Sequence, residues 1–165
     1  MPRPKDEIAR LVQGWEGRSD GEVLEGLRGL APLADEGDPC WTREYWSQVA
    51  YPYVALGDVA ARRRLRAAIR LLLDRACFGD PGEIMRGLRH SLEAIVDPDW
   101  EALVEDCLAA ARSARRGTRL WALDTLAMLD DPRARPVFEA ALGDPASLIR
   151  EVAEIGLERL AERRG

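Results

Sequence analysis

Residues 131–160 read DPRARPVFEAALGDPASLIREVAEIGLERL. Two Asp-Pro pairs, Asp131-Pro132 and Asp144-Pro145, stand thirteen positions apart, and each opens an apolar-periodic segment. An Asp at a helix N-cap accepts from orphan N–H groups, and a Pro in the first helical turn has no N–H to lose. In the second segment Ile149, Val152, Ala153, Gly156, Leu157 and Leu160 fall at offsets 0, 3, 4, 7, 8 and 11. That spacing is one face of an α-helix. The stretch therefore reads as a helical hairpin, and its second helix becomes a ruler for the rest of the chain.

Laid upstream, the ruler finds Thr118, Trp121, Ala122, Thr125, Leu126 and Leu129, with Arg119 where Arg150 stands. The pattern R-x-x-A-x-x-x-L-x-x-L thus occurs twice. A third placement takes Ile84, Gly87, Leu88, Ser91, Leu92 and Ile95, with Met85 in the arginine column. A fourth takes Thr42, Tyr45, Trp46, Val49, Ala50 and Tyr53, with Arg43 in that column. Each inner helix follows another amphipathic segment, marked in turn by Leu24 to Leu33, Leu65 to Leu73, Leu103 to Ala111 and Val137 to Leu142. Asp80-Pro81 and Asp97-Pro98 are further expected starts, and Asp20 and Asp58 are starts without Pro. Asp58 to Asp97 spans 39 residues and Asp97 to Asp131 spans 34, a period that belongs to solenoids. The expected architecture is all-α: one domain over residues 1–165, a short N-terminal helix around 4–15, and four antiparallel hairpins at about 19–56, 57–95, 96–129 and 130–162. No segment alternates with period two in β-branched residues, so no strand is expected.

The run D-P-R-A-x-P, an apolar helix, G-D-P and I-R-x-x-A-x-x-x-L-x-x-L resembles a HEAT-like repeat of the phycobilisome-lyase type, best over residues 97–160 and loosely before 96. Pro136, which would disturb a helix interior, sits where that repeat class often carries proline. The resemblance implies a right-handed α-solenoid whose second helices line a concave face. It also implies binding of proteins, peptides, chromophores or nucleic acid, and names no reaction. A bilin lyase and a DNA-lesion glycosylase are the enzyme classes that share the architecture.

Composition narrows the field. At 165 residues with 47% hydrophobic and 32% charged residues, the chain can fold around one core. Twenty-four basic residues against 29 acidic ones leave a net charge of -5, so no overall positive field draws the protein to nucleic acid or anionic lipid. Lys5 is the single lysine, a bias that reads first as base composition of the genome. Cys40, Cys77 and Cys107 are odd in number and widely spaced, and His90 is the single histidine. Neither a disulfide framework nor a metal site is expected from them. There is no apolar leader, no run approaching the ~18 residues of a membrane span, and no nucleotide or metalloprotease motif. A cytoplasmic, monomeric, cofactor-free protein is expected.

The helical offsets facing away from the buried stripe supply the candidate partner-binding residues. They are Glu44, Gln48 and Tyr51 from the first hairpin, Arg86, Arg89, His90 and Glu93 from the second, Leu120 and Asp124 from the third, and Glu151, Glu154, Ile155 and Glu158 from the fourth. Trp41 joins them from the aromatic run CWTREYWSQVAYPY at 40–53, where Pro52 is expected to distort the helix. The face is acidic and polar at its ends, cationic in the middle, with an apolar patch beside it, which suits a protein partner. Two arginine groups stand apart. Arg62, Arg63, Arg64, Arg66 and Arg70 read as a solvated outer face, while Arg112, Arg115, Arg116 and Arg119 form a candidate phosphate patch. Glu151, Glu154 and Glu158 would repel a nucleic-acid backbone. The expected function is a non-catalytic protein-binding scaffold, with toxin neutralisation by an immunity or antitoxin-type inhibitor as its specific form.

Overall fold

The computed structural model describes residues 3–163. Its helices are α1 (Pro4–Glu16), α2 (Asp20–Gly29), α3 (Arg43–Tyr45), α4 (Tyr51–Arg62), α5 (Ala68–Asp74), α6 (Ile84–Val96), α7 (Trp100–Ala110), α8 (Arg116–Leu129), α9 (Arg135–Ala141) and α10 (Ser147–Glu162). A π-turn, Trp46–Ala50, joins α3 to α4, and single 3-10 turns at Pro81–Glu83 and Pro132–Ala134 lead into α6 and α9. Among the described residues there is no strand. Consecutive helices pair as α2 with α4, α5 with α6, α7 with α8 and α9 with α10. One row runs α1, α4, α6 and a second stretch of it α8, α10; the other row runs α2, α5, α7. Every helix but α3 contributes to a single core, with Leu27, Leu56, Leu72, Leu92, Leu103, Leu123 and Phe138 among its largest fully buried side chains.

Side-chain caps account for some of the helix starts, and the cap of α2 is Ser19 rather than Asp20. Ser19 and Glu22 form a capping box ahead of α2, and Thr42 accepts from the Tyr45 N–H. Asp80 accepts from Met85, Asp131 from Arg133 and Asp144 from Ala146, at 2.7, 2.9 and 2.9 Å. Asp97 has no such role: the residue before α7 is Asp99, whose carboxylate instead pairs with Arg66 at 2.6 Å. Nor does Asp58 start a helix. It lies inside α4 and pairs with Arg62 at 3.0 Å, because Ala55, Leu56, Val59 and Ala60 carry the buried stripe straight past it. The first hairpin's inner helix therefore reaches Arg62 rather than ending near 56.

Proline explains the two irregular starts. Pro52 follows the π-turn, in which the Tyr51 N–H reaches back five residues to the Trp46 carbonyl. Pro52 could not donate to Gln48 and its ring would crowd that carbonyl, and the widened turn removes the conflict. Pro136 lies in the first turn of α9, where its lack of an N–H is harmless.

The turns of the last two hairpins repeat their hydrogen bonds at a 31-residue offset. The Arg115 N–H donates to Ser113 Oγ, and the Ala146 N–H to Asp144 Oδ1. Arg119 donates to the carbonyls of Ser113 and Ala114 (3.1 and 2.9 Å), and Arg150 to those of Asp144 and Pro145 (2.7 and 3.0 Å). In α8 and α10 the arginine column is thus a clamp that the helix closes on the turn preceding it. Other arginines act likewise on helix ends. Arg63 binds the carbonyls of Trp15, Glu16 and Arg18 after α1, and Arg75 those of Arg28 and Leu30 after α2. Orphan C-terminal carbonyls need donors, and a planar guanidinium serves two or three at once where an ammonium could not hold that fork. The near-absence of lysine thus has a physical use in this fold.

Candidate functional site

The π-turn sets up a groove. It turns Trp46 and Tyr51 to one side of the rod formed by α3 and α4, toward the start of α6. Gly82 makes room for Trp46, since a Cβ there would stand 2.6 Å from the indole Cη2, and its φ of 56° suits glycine. The resulting cavity of 840 Å³ is walled by Pro4, Glu7 and Ile8 of α1 and by Ile84 and Gly87 of α6, with Tyr51 and Val54 of α4 as its floor. A second cavity of 490 Å³ continues along α4 past Gly57, Asp58 and Ala61, opposite Leu88, His90, Ser91 and Ala94 of α6. Both are lined by Ile8, Val54, Ile84 and Gly87, so they form one channel between α1 and α6. From Tyr51 to Ala61 the floor is about 15 Å long at 1.5 Å per helical residue. Its centre is apolar. Of the charges along it, Glu83 pairs with Arg86 at 3.1 Å, while Asp58 pairs with Arg62, which also pairs with Glu16 at 2.6 Å. Glu7 lies 4.0 Å from Arg10 and only 17% of its side chain is exposed.

Of the residues expected to bind a partner, Tyr51 and His90 line this channel. Arg86 stands beside it, paired with Glu83, and Glu93 lies 4.0 Å from the His90 imidazole. Trp41 is half-buried: its indole donates to the Asp35 carbonyl at 2.9 Å, and its ring stands 5.0 Å from Trp46 in a chain of aromatic contacts that ends at Tyr51. Glu44 and Gln48 are exposed on the π-turn side, bonded to each other at 3.0 Å, and line neither cavity. Arg89 reaches Asp124 on α8 at 3.2 Å, joining two helices of the inner row. Burial pushes the Asp124 carboxyl above the usual carboxylate range, against the opposing pull of Arg89 and Arg159. Leu120 is only 4% exposed and offers no surface to a ligand, because α8 turns that side toward its neighbours. Glu151, Glu154, Ile155 and Glu158 are exposed on α10, away from the channel.

The channel also enlists residues that sequence reasoning passed over: Glu7, Ile8, Arg43, Trp46, Val54, Ile84 and Gly87. Trp46, Ile84 and Gly87 belong to the apolar ruler, which marks a residue as facing inward but not whether its neighbour fills the space. Ile8, Leu11 and Trp15 give α1 an apolar stripe that could have been read from the sequence, but nothing in it says that the stripe meets α4.

The arginine groups are consumed internally. Arg115 donates to the carbonyls of Asp74, Ala76 and Leu33; Arg116 pairs with Asp35 at 2.6 Å; Arg119 pairs with Asp144 at 2.9 Å; and Arg112 donates to Leu108. Arg64 reaches the Asp97 carbonyl, and Arg70 pairs with Asp74 at 2.8 Å. A phosphate would have to displace these partners. Cys77 and Cys107 are buried and Cys40 is exposed, all three as free thiols. Among the described residues no three His, Cys, Asp or Glu side chains stand together as a metal site, and no helix is long and apolar enough to cross a membrane.

No family model, curated protein or solved structure matches the chain.

Proposed function

We propose that the protein is a HEAT-like α-solenoid of helical hairpins acting as a non-catalytic scaffold, and that it holds an amphipathic helix of a partner protein in the channel between α1 and α6. The observation that carries this reading is the continuous apolar channel, whose two cavities share Ile8, Val54, Ile84 and Gly87. A floor of about 15 Å matches roughly three turns of helix, and helix-in-groove binding reads one apolar face at i, i+3, i+4 and i+7. Trp46 and Tyr51 at one end supply the aromatic anchors that interfaces favour. Right-handed stacking and cytoplasmic location belong to the same proposal. So does toxin neutralisation, which rests on size, charge and the lack of a catalytic motif. Engagement of Arg112, Arg115, Arg116 and Arg119 within the fold favours a protein ligand over nucleic acid.

Gly87 provides the test. It lies in the first turn of α6, and an added Cβ meets nothing within 4 Å. Gly87→Trp therefore keeps the fold while its indole fills the channel, and thermal stability stays at or above that of the parent. A photo-crosslinking residue at Ser47, which lines the channel, should capture one partner in the native host, and the same residue at exposed Glu139 on α9 should not. Gly87→Trp should abolish that capture. Equal capture from both positions, or capture undiminished by Gly87→Trp, refutes the proposal.

A further inference from the structure

The acidic face of α10 has a counterpart that reveals its role. At the 31-residue offset that relates the last two hairpins, Glu151, Glu154 and Glu158 correspond to Leu120, Leu123 and Ala127 of α8. Those three are 4%, 1% and 5% exposed. Two of them meet the fourth hairpin: Leu123 borders a seam with Pro136, Val137 and Ala140 of α9, and the Ala127 carbonyl accepts from Arg159 of α10. The correspondence extends into the core. Cys107 meets Thr125 where Phe138 meets Gly156, so the large residue of one hairpin faces the small residue of its partner helix. Leu142, 40% exposed, corresponds to Ala111, which borders the same seam in the third hairpin. The fourth hairpin thus repeats the third in backbone bonds and core, and differs where the third receives its successor.

We infer that Glu151, Glu154 and Glu158 make the fourth hairpin a terminal cap that refuses a further hairpin, whether from a longer chain or from a second copy. A hairpin stacked on this face would have to bury three carboxylates against apolar side chains, and an unpaired buried carboxylate is strongly disfavoured. Repeat arrays need such polar outer faces to stay soluble and finite. The cap is built by the side chains at the stacking positions of α10. It rests on the repeat arrangement proposed above and is separate from the channel between α1 and α6.

The test adds a hairpin. A second copy of residues 130–163 is appended to the full chain, once with the native glutamates and once with Glu151→Leu, Glu154→Leu and Glu158→Ala in the original fourth hairpin. Limited proteolysis and urea unfolding are read for both. With the native glutamates the added segment should be cleaved at the rate of an unfolded chain. With the three substitutions it should resist at least tenfold longer, and it should unfold with the rest in one transition of larger denaturant slope. A chain with Glu154→Leu alone guards against misfolding of the triple variant and should show intermediate protection. Equal protection in all three chains overturns the cap and leaves the repeat arrangement standing; protection in none overturns both. Neither result bears on capture at Ser47.

Discussion

Replacing Gly117 by alanine should destabilise the protein, although alanine is the better helix former. Gly117 is the second residue of α8 and is buried. A Cβ built on it would stand 2.3 Å from the Ala76 carbonyl oxygen, 2.7 Å from the Cys77 carbonyl carbon and 2.9 Å from the Phe78 nitrogen. Since C···O contacts settle near 3.3–3.6 Å, the two segments must part by about 1 Å. The atoms in the way are backbone, and they are held: the Cys77 carbonyl accepts from the Trp121 indole at 2.9 Å, the Ala76 carbonyl from Arg115 at 3.2 Å, and the Phe78 N–H donates to Asp35 at 3.1 Å. Overpacking of this kind costs about 1–3 kcal/mol, and weakening one of those hydrogen bonds costs about 1 more. Against this stands a propensity gain of at most about 1 kcal/mol. The net expectation is a loss of about 1–3 kcal/mol, or roughly 2–12 °C in Tm for a domain of this size. Thermal and urea unfolding measure it, with Gly14→Ala as the control: Gly14 lies in α1, and an added Cβ there meets nothing within 4 Å. The control should be neutral to stabilised by up to about 1 kcal/mol. If Gly117→Ala proves as stable as Gly14→Ala, the close backbone approach of α8 to residues 76–78 is wrong.

Two further outcomes test the electrostatics and the thiols. Burial raises the Asp124 carboxyl above its ordinary value despite Arg89 and Arg159, so the folded protein holds that proton more tightly than the unfolded chain. Its contribution to stability is then greatest below the ordinary aspartate pKa of about 3.9 and is lost as pH rises through the folded value. Asp124→Asn should therefore match the parent near pH 3 and gain on it toward pH 7, read by urea unfolding at both; a difference that is constant, or that grows toward acid, contradicts the burial argument. Of the three thiols, Cys40 is exposed, whereas burial pushes Cys77 up to about 12 and raises Cys107 as well. A disulfide reagent should titrate one thiol in the native protein and three after denaturation, because the thiolate is the reactive species; two or more reacting in the native state would place Cys77 or Cys107 wrongly.

The ruler taken from residues 149–160 reads the inner helices well because it records a real constraint, the stripe each helix buries. Thr118, Ala122, Leu126, Ile149, Ala153 and Leu160 are buried as it requires. It works least well where a residue has two plausible roles. Asp58 has the composition of a cap but sits in a helix whose apolar stripe continues, and stripe continuity wins. Leu120 and Glu151 occupy the same offset, yet Leu120 is buried and Glu151 exposed, a difference that the local pattern does not carry. The channel was the least legible feature. Tyr51 and His90 are legible as outward positions, but that α1 stands across from α6 depends on each packing against α4 between them, contacts between elements far apart along the chain.

What the sequence by itself determined is local: helices without strands among the described residues, their buried stripes, the caps at Asp80, Asp131 and Asp144, and the distortion at Pro52. Each follows from interactions within a few residues along the chain, so periodicity and residue type are enough to read them. What only the tertiary structure decided is which faces meet. It turned the suspected phosphate patch into carbonyl clamps and ion pairs, left a channel along α4, and put Glu151, Glu154 and Glu158 of α10 on the surface. A side chain's exposure is fixed by the neighbour opposite it, and that neighbour lies beyond the reach of any local pattern.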